Sequence, residues 1–501
     1  VSSTYPTLIN DLMKKLNLTL LILFFTFTAF AQSDSLYVLD LQQCIDIAIE
    51  NNLSVRRSNL QEQLAQVNLN QSRASQLPSL NVGGNYGYNW GRSIDPTTNS
   101  FITQQINFTG VSGTANMTLF NWFRITNTIK QNRMSLESSQ YAVDKAENDI
   151  SLNVVTFYLN VIFNRELFEN AEYQLRSSQE QLERTKKLVA GGALPRTNEL
   201  ELISQVATNE VQLVTAQNNL DLALLSLKQA MLIPTSQDIE LIIPDLTLEG
   251  EADLTISSDE VFEAAVASMP EIQSAELQVQ SALMGVKVAE SGYAPTLSLN
   301  GSFRSNYSDA YKQYNIDEDN PYTINRDASG NVITNPTFYQ TNDGTPVEEI
   351  SISPNGSLET VGFGDQMNQN FSKSLTLNLS IPIFNNLQAK SSVQNARINL
   401  QQAEITVLEQ KNLLRQTIET AYNDAFAASK TYAASSRQVE ALEETFRSVE
   451  NQYNLGAANF TDYQVASNNL FRAKSDLVRA KFDFIFKKKI LDFYQGNSLS
   501  F

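Results

Sequence analysis

Residues 121–190 read NWFRITNTIKQNRMSLESSQYAVDKAENDISLNVVTFYLNVIFNRELFENAEYQLRSSQEQLERTKKLVA, seventy residues with neither glycine nor proline. A second such run, 71 residues long, spans 385–455. At about 1.5 Å per residue each would reach roughly 105 Å as a helix. Ordinary helices are about three turns long, so rods of this length must project from any globular body. Val439, Leu442, Phe446, Val449 and Tyr453 recur at alternating steps of three and four. Leu175, Ser178, Leu182, Thr185 and Val189 keep the same phase, and Leu213, Ala216, Leu220, Ala223, Leu227 and Ala230 resume it after a break. That rhythm is a coiled-coil seam, and small Ala positions let the backbones approach. The breaks are Gly191-Gly192 with Pro195 in the first half and Gly456 in the second. They end a helix and turn the chain into a hairpin.

The two rods belong to a tandem repeat. An offset of 217 pairs Ala48 with Ala265, Val55 with Ile272, Leu60 with Leu277, Pro78 with Pro295, Leu80 with Leu297, Gly84 with Gly301 and Tyr86 with Phe303. Further along, an offset of 264 pairs Phe120-Asn121 with Phe384-Asn385, Tyr158 with Tyr422, Leu182 with Phe446, Gly192-Ala193 with Gly456-Ala457 and Thr197 with Thr461. Each copy reads helix, strand, strand, long helix, turn, helix. The expected organisation is a leader over 1–31, repeat 1 over 38–236, a linker over 237–257 containing Pro244, repeat 2 over 258–495, and a tail over 496–501.

Between the helices lie segments of period two. Strands are expected at about 79–91, 106–120, 296–307 and 371–383. Leu80, Val82, Gly84, Tyr86, Tyr88 and Trp90 alternate with Asn81, Gly83, Asn85, Gly87 and Asn89, and Leu375, Leu377, Leu379 and Ile381 alternate with Ser374, Thr376, Asn378 and Ser380. One apolar face and one face of small polar residues suit a membrane strand with a wet interior, and about ten residues suffice for a tilted crossing. Four strands cannot close a barrel, whose smallest size is about eight, and an open edge in lipid leaves backbone groups unsatisfied. Closure therefore requires several chains. The connection 308–370, rich in Asn, Asp, Ser, Pro and Gly, shows no helical or strand period and reads as a long surface loop. Its acidic residues Asp309, Asp317, Glu318 and Asp319 could bind a cation, solvated loop charge being the default reading, and Lys487, Lys488 and Lys489 read as a solvated helix face.

Composition narrows function by exclusion. The chain of 501 residues has no histidine, one cysteine (Cys44) and a formal charge of −18. His-based catalysis, His-ligated metals, internal disulfides and cysteine clusters are thereby removed. Phosphate repulsion argues against a nucleic-acid partner. Neither GxGxxG nor a Walker A loop occurs, and no catalytic, cofactor or metal residues are expected: the chain is not read as an enzyme. Cys44 lies on the apolar face of the first helix and reads as a small buried hydrophobe. At the N-terminus, Met13-Lys14-Lys15, the apolar run Leu16–Phe30 and Ala29-Phe30-Ala31 before Gln32 form an export signal, with residues 1–12 upstream of it. No later run is long and apolar enough for a transmembrane helix.

The signal, the tandem copy, the opening helix Leu41–Asn52, the strands led by Pro78 and Pro295, and the turn with Tyr453, Gly456 and Asp462 together resemble the TolC-like outer membrane efflux family over essentially all of residues 38–495. The resemblance implies a fold that is mainly α with transmembrane β. It implies a homotrimer in which four strands per chain build a 12-stranded outer-membrane barrel, and long helical hairpins form a periplasmic tunnel. It also implies shorter helices, about 54–77 and 198–232, stacked end to end beside the long ones. The implied function is a passive exit duct for efflux or type I secretion, reached through a periplasmic adaptor (membrane fusion protein) from an inner-membrane pump of RND, ABC or MFS type. Outer-membrane lipid is the remaining partner. Hairpin turns would close the tunnel, and by position the gate residues are Gly192, Thr197, Asn198, Tyr453, Gly456, Thr461 and Asp462. The family's gate arginine position holds Ala458, its second gate aspartate position holds Val465, and the first-copy aspartate position holds Asn198. Closure would then rest on packing and neutral hydrogen bonds such as Tyr453 to Asn198. The competing reading is a trimeric surface stalk or adhesin without transport, which predicts one anchor region at one terminus; a carboxylate-based periplasmic enzyme has no positive support. Cargo, pump and adaptor are not legible.

Overall fold

The computed structural model describes residues 37–94, 99–103, 105–243, 256–316, 318–497 and 499. The leader segment 1–31 and most of the linker, including Pro244, lie outside the described residues. The first half contains β1 (Tyr37–Leu39), α1 (Leu41–Asn51), α2 (Leu53–Ala74), β2 (Ser79–Asn89), β3 (Arg92–Ile94), β4 (Phe101–Thr103), β5 (Ile106–Phe120), α3 (Arg124–Ala190) and α4 (Arg196–Ala230). After β6 (Ile239–Leu241) come α5 (Ser258–Ser268), α6 (Pro270–Glu290) and β7 (Thr296–Ser308). A connection holding six short strands follows, then α7 (Phe363–Gln369), β14 (Ser372–Ser380), α8 (Gln388–Asn454) and α9 (Phe460–Tyr494).

The two halves match in detail. α3 and α8 are each 67 residues long, and α4 and α9 each 35. α1 opens with a capping box in which the Asp40 side chain accepts from the Gln43 N–H and the Gln43 side chain accepts from the Asp40 N–H. Ser257 and Glu260 make the same reciprocal pair at the start of α5. Two otherwise orphaned N–H groups are satisfied each time, a contribution of about 1 kcal/mol. α3 and α8 enter through an unusual turn. Trp122 and Phe123, and their counterparts Asn386 and Leu387, all have positive φ. The side chains of Asn121 and Asn385 accept from the N–H four residues on.

Two compact units divide the chain, and each draws on both halves. Among the described residues the first comprises those within 37–66, 134–280 and 401–499, the second those within 67–133 and 281–400. In the first unit Leu41, Cys44, Ile45 and Ala48 of α1 pack on Val154, Val155, Tyr158 and Ile162 of α3, joined by Leu227 of α4 and Ile485 of α9. The repeat-related cluster is smaller: Val261, Ala265, Met269 and Ile272 against Leu414 and Ile418. β1 pairs in parallel with β6, so the start of the linker is held back against the N-terminal strand. Tyr158, almost wholly buried, donates its hydroxyl to the Ile242 carbonyl beside it. Ser138 of α3 and Ser274 of α6 exchange reciprocal hydrogen bonds, with 2.9 Å between their hydroxyl oxygens. Small residues permit that close helix contact.

The second unit holds a four-stranded antiparallel sheet in the order β14-β7-β5-β2. Strands from both halves thus form one sheet. β14 stops at Ser380, two residues before Pro382, which has no N–H to continue a ladder. The connection after β7 departs from expectation. Its strands β8 (Lys312–Ile316), β9 (Tyr322–Ile324), β10 (Thr334–Gln340), β11 (Pro346–Ile350), β12 (Ile352–Pro354) and β13 (Gly356–Thr360) pair as β8–β13, β9–β12 and β10–β11. The connection is a nested hairpin ribbon rather than an irregular loop. A ribbon of two strands, wet on both faces, buries no stripe and therefore needs no apolar alternation.

Candidate functional site

Two regions are candidates for a functional site, one in each unit. The sheet comes first. Across β14, β7, β5 and β2 one face carries the rows Leu375, Gly301, Ala115, Leu80 and Lys373, Phe303, Gly113, Val82, beside the shorter row Leu377, Leu299, Met117. The other face carries Thr376, Asn300, Asn116, Ser79, then Ser374, Ser302, Thr114, Asn81, then Ser372, Arg304, Ser112, Gly83. Among the described residues the apolar face has no protein cover: Leu375 is 74% exposed and Leu80 75%. Such a face belongs against lipid. Aromatic residues mark both ends of the sheet. Tyr86, Tyr88 and Trp90 contact one another in series, and Phe120 meets Trp122 and Phe123 edge-on. Tyr86 lies opposite Thr109 of β5, which puts roughly 36 Å of strand between the two groups. A tilt near 40° reduces that to roughly 28 Å, close to the apolar band of a membrane barrel.

Among the described residues the outer strands β14 and β2 each have one partner, so two edges stay open. Beyond β14, α7 takes over the edge of β7. Gln366, fully buried, accepts from the Ser308 N–H and donates to the Ser308 and Val361 carbonyls. It does the work of a neighbouring strand. No periodic signal marks α7, because the helix is seven residues long and is specified by this one buried amide.

The hairpin ends form the second region. Gly192 and Gly456 have φ of +74° and +73°. The Ala193 N–H reaches the Leu188 carbonyl and the Ala457 N–H the Gln452 carbonyl, the six-to-one bond of a Schellman end. α9 is capped by Asn459, whose side chain accepts from the Asp462 N–H. α4 begins after Pro195 with no side-chain cap, and the Asn198 N–H reaches the Pro195 carbonyl. Behind the turns, Leu202, Phe460 and Tyr463 form a buried cluster, with Leu182, Phe446, Val449 and Tyr453 packed on it. Tyr453 stacks on Tyr463 at 5.0 Å between ring centres. Burial, then the nearby Glu450 charge, pushes the Tyr463 hydroxyl up to about 12. The anticipated Tyr453–Asn198 hydrogen bond is not formed within the chain: the Tyr453 hydroxyl is buried and has no partner among the described residues. Stacking holds that ring instead. Phe460 and Tyr463 escaped the sequence reading, although Phe460 continues the seven-residue aromatic spacing of Phe446 and Tyr453. Deeper in the hairpin, the buried Asn209 donates to the Ser178 hydroxyl at 2.9 Å and accepts from the Gln205 side-chain amide. One such satisfied polar layer fixes helix register.

The match to known proteins is with this arrangement. The family model for outer membrane efflux proteins aligns with residues 44–231 and 349–484, more than half of the chain. The chain belongs to the outer membrane efflux protein family. Family membership places it in the outer membrane, among channel proteins. The outer membrane protein TolC of Escherichia coli is 23% identical over 453 residues, covering 89% of this chain and 80% of the relative. The proteases secretion protein PrtF of Dickeya chrysanthemi is 23% identical over 276 residues, covering 54% of this chain and 59% of PrtF. Among solved structures, the outer membrane protein VceC of Vibrio cholerae superposes with a TM-score of 0.66 at 14% identity, covering 92% of this chain and 97% of that one. The MtrE outer membrane channel of Neisseria gonorrhoeae does so at 0.60 and 18%, covering 92% and 89%. Among the described residues no helix of this efflux-family chain is long and apolar enough to cross a membrane.

Proposed function

We propose that this protein is the outer-membrane exit duct of a tripartite efflux or type I secretion system. The observation that carries the reading is the four-stranded sheet with two open edges, an uncovered apolar face and an opposite face of Ser, Thr, Asn and Gly. An open edge is untenable in lipid, so the sheet completes itself with other copies. Three copies supply twelve strands, and the small polar face then lines a water-filled passage. The long hairpins of α3 with α4 and α8 with α9 form the periplasmic tunnel. A periplasmic adaptor and an RND, ABC or MFS-type inner-membrane pump deliver cargo to it. The stalk reading is not favoured, because the strands come from both halves rather than from one terminal anchor.

The deciding experiment is the native mass of the mature protein extracted from outer membranes in mild detergent. A mass of three chains is the expected result; a stable monomer would overturn the reading.

Within that duct, the ends carrying Gly192, Thr197, Asn198, Tyr453, Gly456, Thr461 and Asp462 act as the closing elements, held by aromatic stacking rather than by ion pairs. Support comes from the partnerless Tyr453 hydroxyl and the Tyr453–Tyr463 stack. Tyr453→Phe is therefore expected to leave bilayer conductance and drug leakage unchanged, whereas Tyr453→Ala raises both. A leaky Tyr453→Phe would restore the hydrogen-bonded gate.

A further inference from the structure

The chain carries a formal charge of −18, yet the four strands of the sheet contain no acidic residue. Their only charged side chains are Arg304 on β7 and Lys373 on β14. Arg304 lies opposite Ser372 and Lys373 opposite Phe303, so the two cations sit at nearly the same height on opposite faces. Lys373, on the apolar face, places its ammonium 5.0 Å from the centre of the Phe371 ring, which draws it along the strand toward the ribbon end of the sheet. That is snorkelling behaviour. Arg304 differs. Its register neighbours are Ser112 and Ser372, it is exposed, and among the described residues it forms no ion pair. A guanidinium cannot discharge by losing its proton at any working pH.

We propose that Arg304 sets the charge preference of the membrane-spanning pore, its copies in a trimer forming a positive ring that favours small anions over small cations. The inference rests on the polar face being the lumen of a closed barrel. Neighbouring serines cannot neutralise the ring, and low-dielectric walls focus its field along the passage. Rings of arginine act in this sense in other anion-conducting pores. The acidic excess of the chain resides outside the four strands, so the pore wall and the rest of the protein have opposite sign.

The test is the reversal potential of the purified protein in planar bilayers under a potassium chloride gradient, with native mass checked for each variant. Arg304→Gln is expected to lower the chloride-to-potassium permeability ratio by at least about twofold. Arg304→Glu should lower it further, and Arg304→Lys should retain it. Lys373→Gln removes the same charge at nearly the same height from the lipid face and should leave the ratio unchanged. An unaltered ratio in Arg304→Gln, or an equal shift in Lys373→Gln, would overturn the inference while the pore stands. A trimer without conductance in any variant would remove the pore reading and this inference with it.

Discussion

Cys44 shows how burial turns a reactive group into a packing element. The side chain is wholly buried between α1 and α3, and desolvation, followed by the Asp40 charge, pushes its thiol up to about 12. A raised acid pKa means that the native state keeps its proton after the unfolded chain has lost it. The stability from this group is complete below about pH 9 and is lost as pH rises toward 12; the buried Tyr158 hydroxyl, also pushed up to about 12, adds to the loss above pH 10. Cys44 should therefore resist thiol reagents at pH 8 in the native protein and react fully after denaturation. Alkaline denaturation of Cys44→Ala should begin about one pH unit later than that of the native chain. Rapid labelling of the native protein would contradict this packing. At the same scale, the buried Asn209 is affordable because Ser178 and Gln205 satisfy it, while the Tyr453 hydroxyl gains nothing from its site.

Among the elements, the hairpins depend on how the long helices stop. At Gly192 and Gly456 an added Cβ would meet nothing within 4 Å. The cost of a side chain there is therefore backbone strain at positive φ, not a clash. Gly456→Ala is expected to destabilise the hairpin end by about 1–2 kcal/mol, and Gly456→Asn by less, since asparagine tolerates the left-handed region. Hydrogen exchange over 440–470 reads this locally; equal protection loss in both variants would refute it. The ribbon β8–β13 poses the opposite case. Residues such as Asp327, whose carboxylate accepts from the Ser329 and Asn331 N–H groups, specify its turns one at a time. Those backbone bonds, with the Asn331 side chain, hold the carboxyl below its ordinary range.

For the whole molecule, function follows from a sheet that is incomplete in one chain. The faces of β14 make this testable. Leu377 and Thr376 are adjacent, on opposite faces in mid-strand. Leu377→Arg should cost about 2–4 kcal/mol per chain on the lipid face and reduce the trimer recovered from outer membranes. Thr376→Arg, pointing into the passage, should assemble normally and narrow the conductance. The reverse outcome would exchange the two faces.

The rods, the repeat and the four strands were legible in the sequence because each is written as a period: three-four for the seams, two for the strands, and fixed offsets for the duplication. Local chemistry was legible as well, for Gly192 and Gly456 end helices wherever they stand. The tertiary structure alone decided the rest. It set the strand order that joins both halves into one sheet, and the Gln366 amide that replaces a missing strand. It set the ribbon in 308–370, and it brought Arg304 and Lys373 to nearly the same height. Periodicity records which side of an element is covered, and it is silent about partners. Register across strands, satisfaction of one buried polar group and burial of the Tyr453 ring are contacts between residues far apart in the chain, so they exist only once the chain has folded.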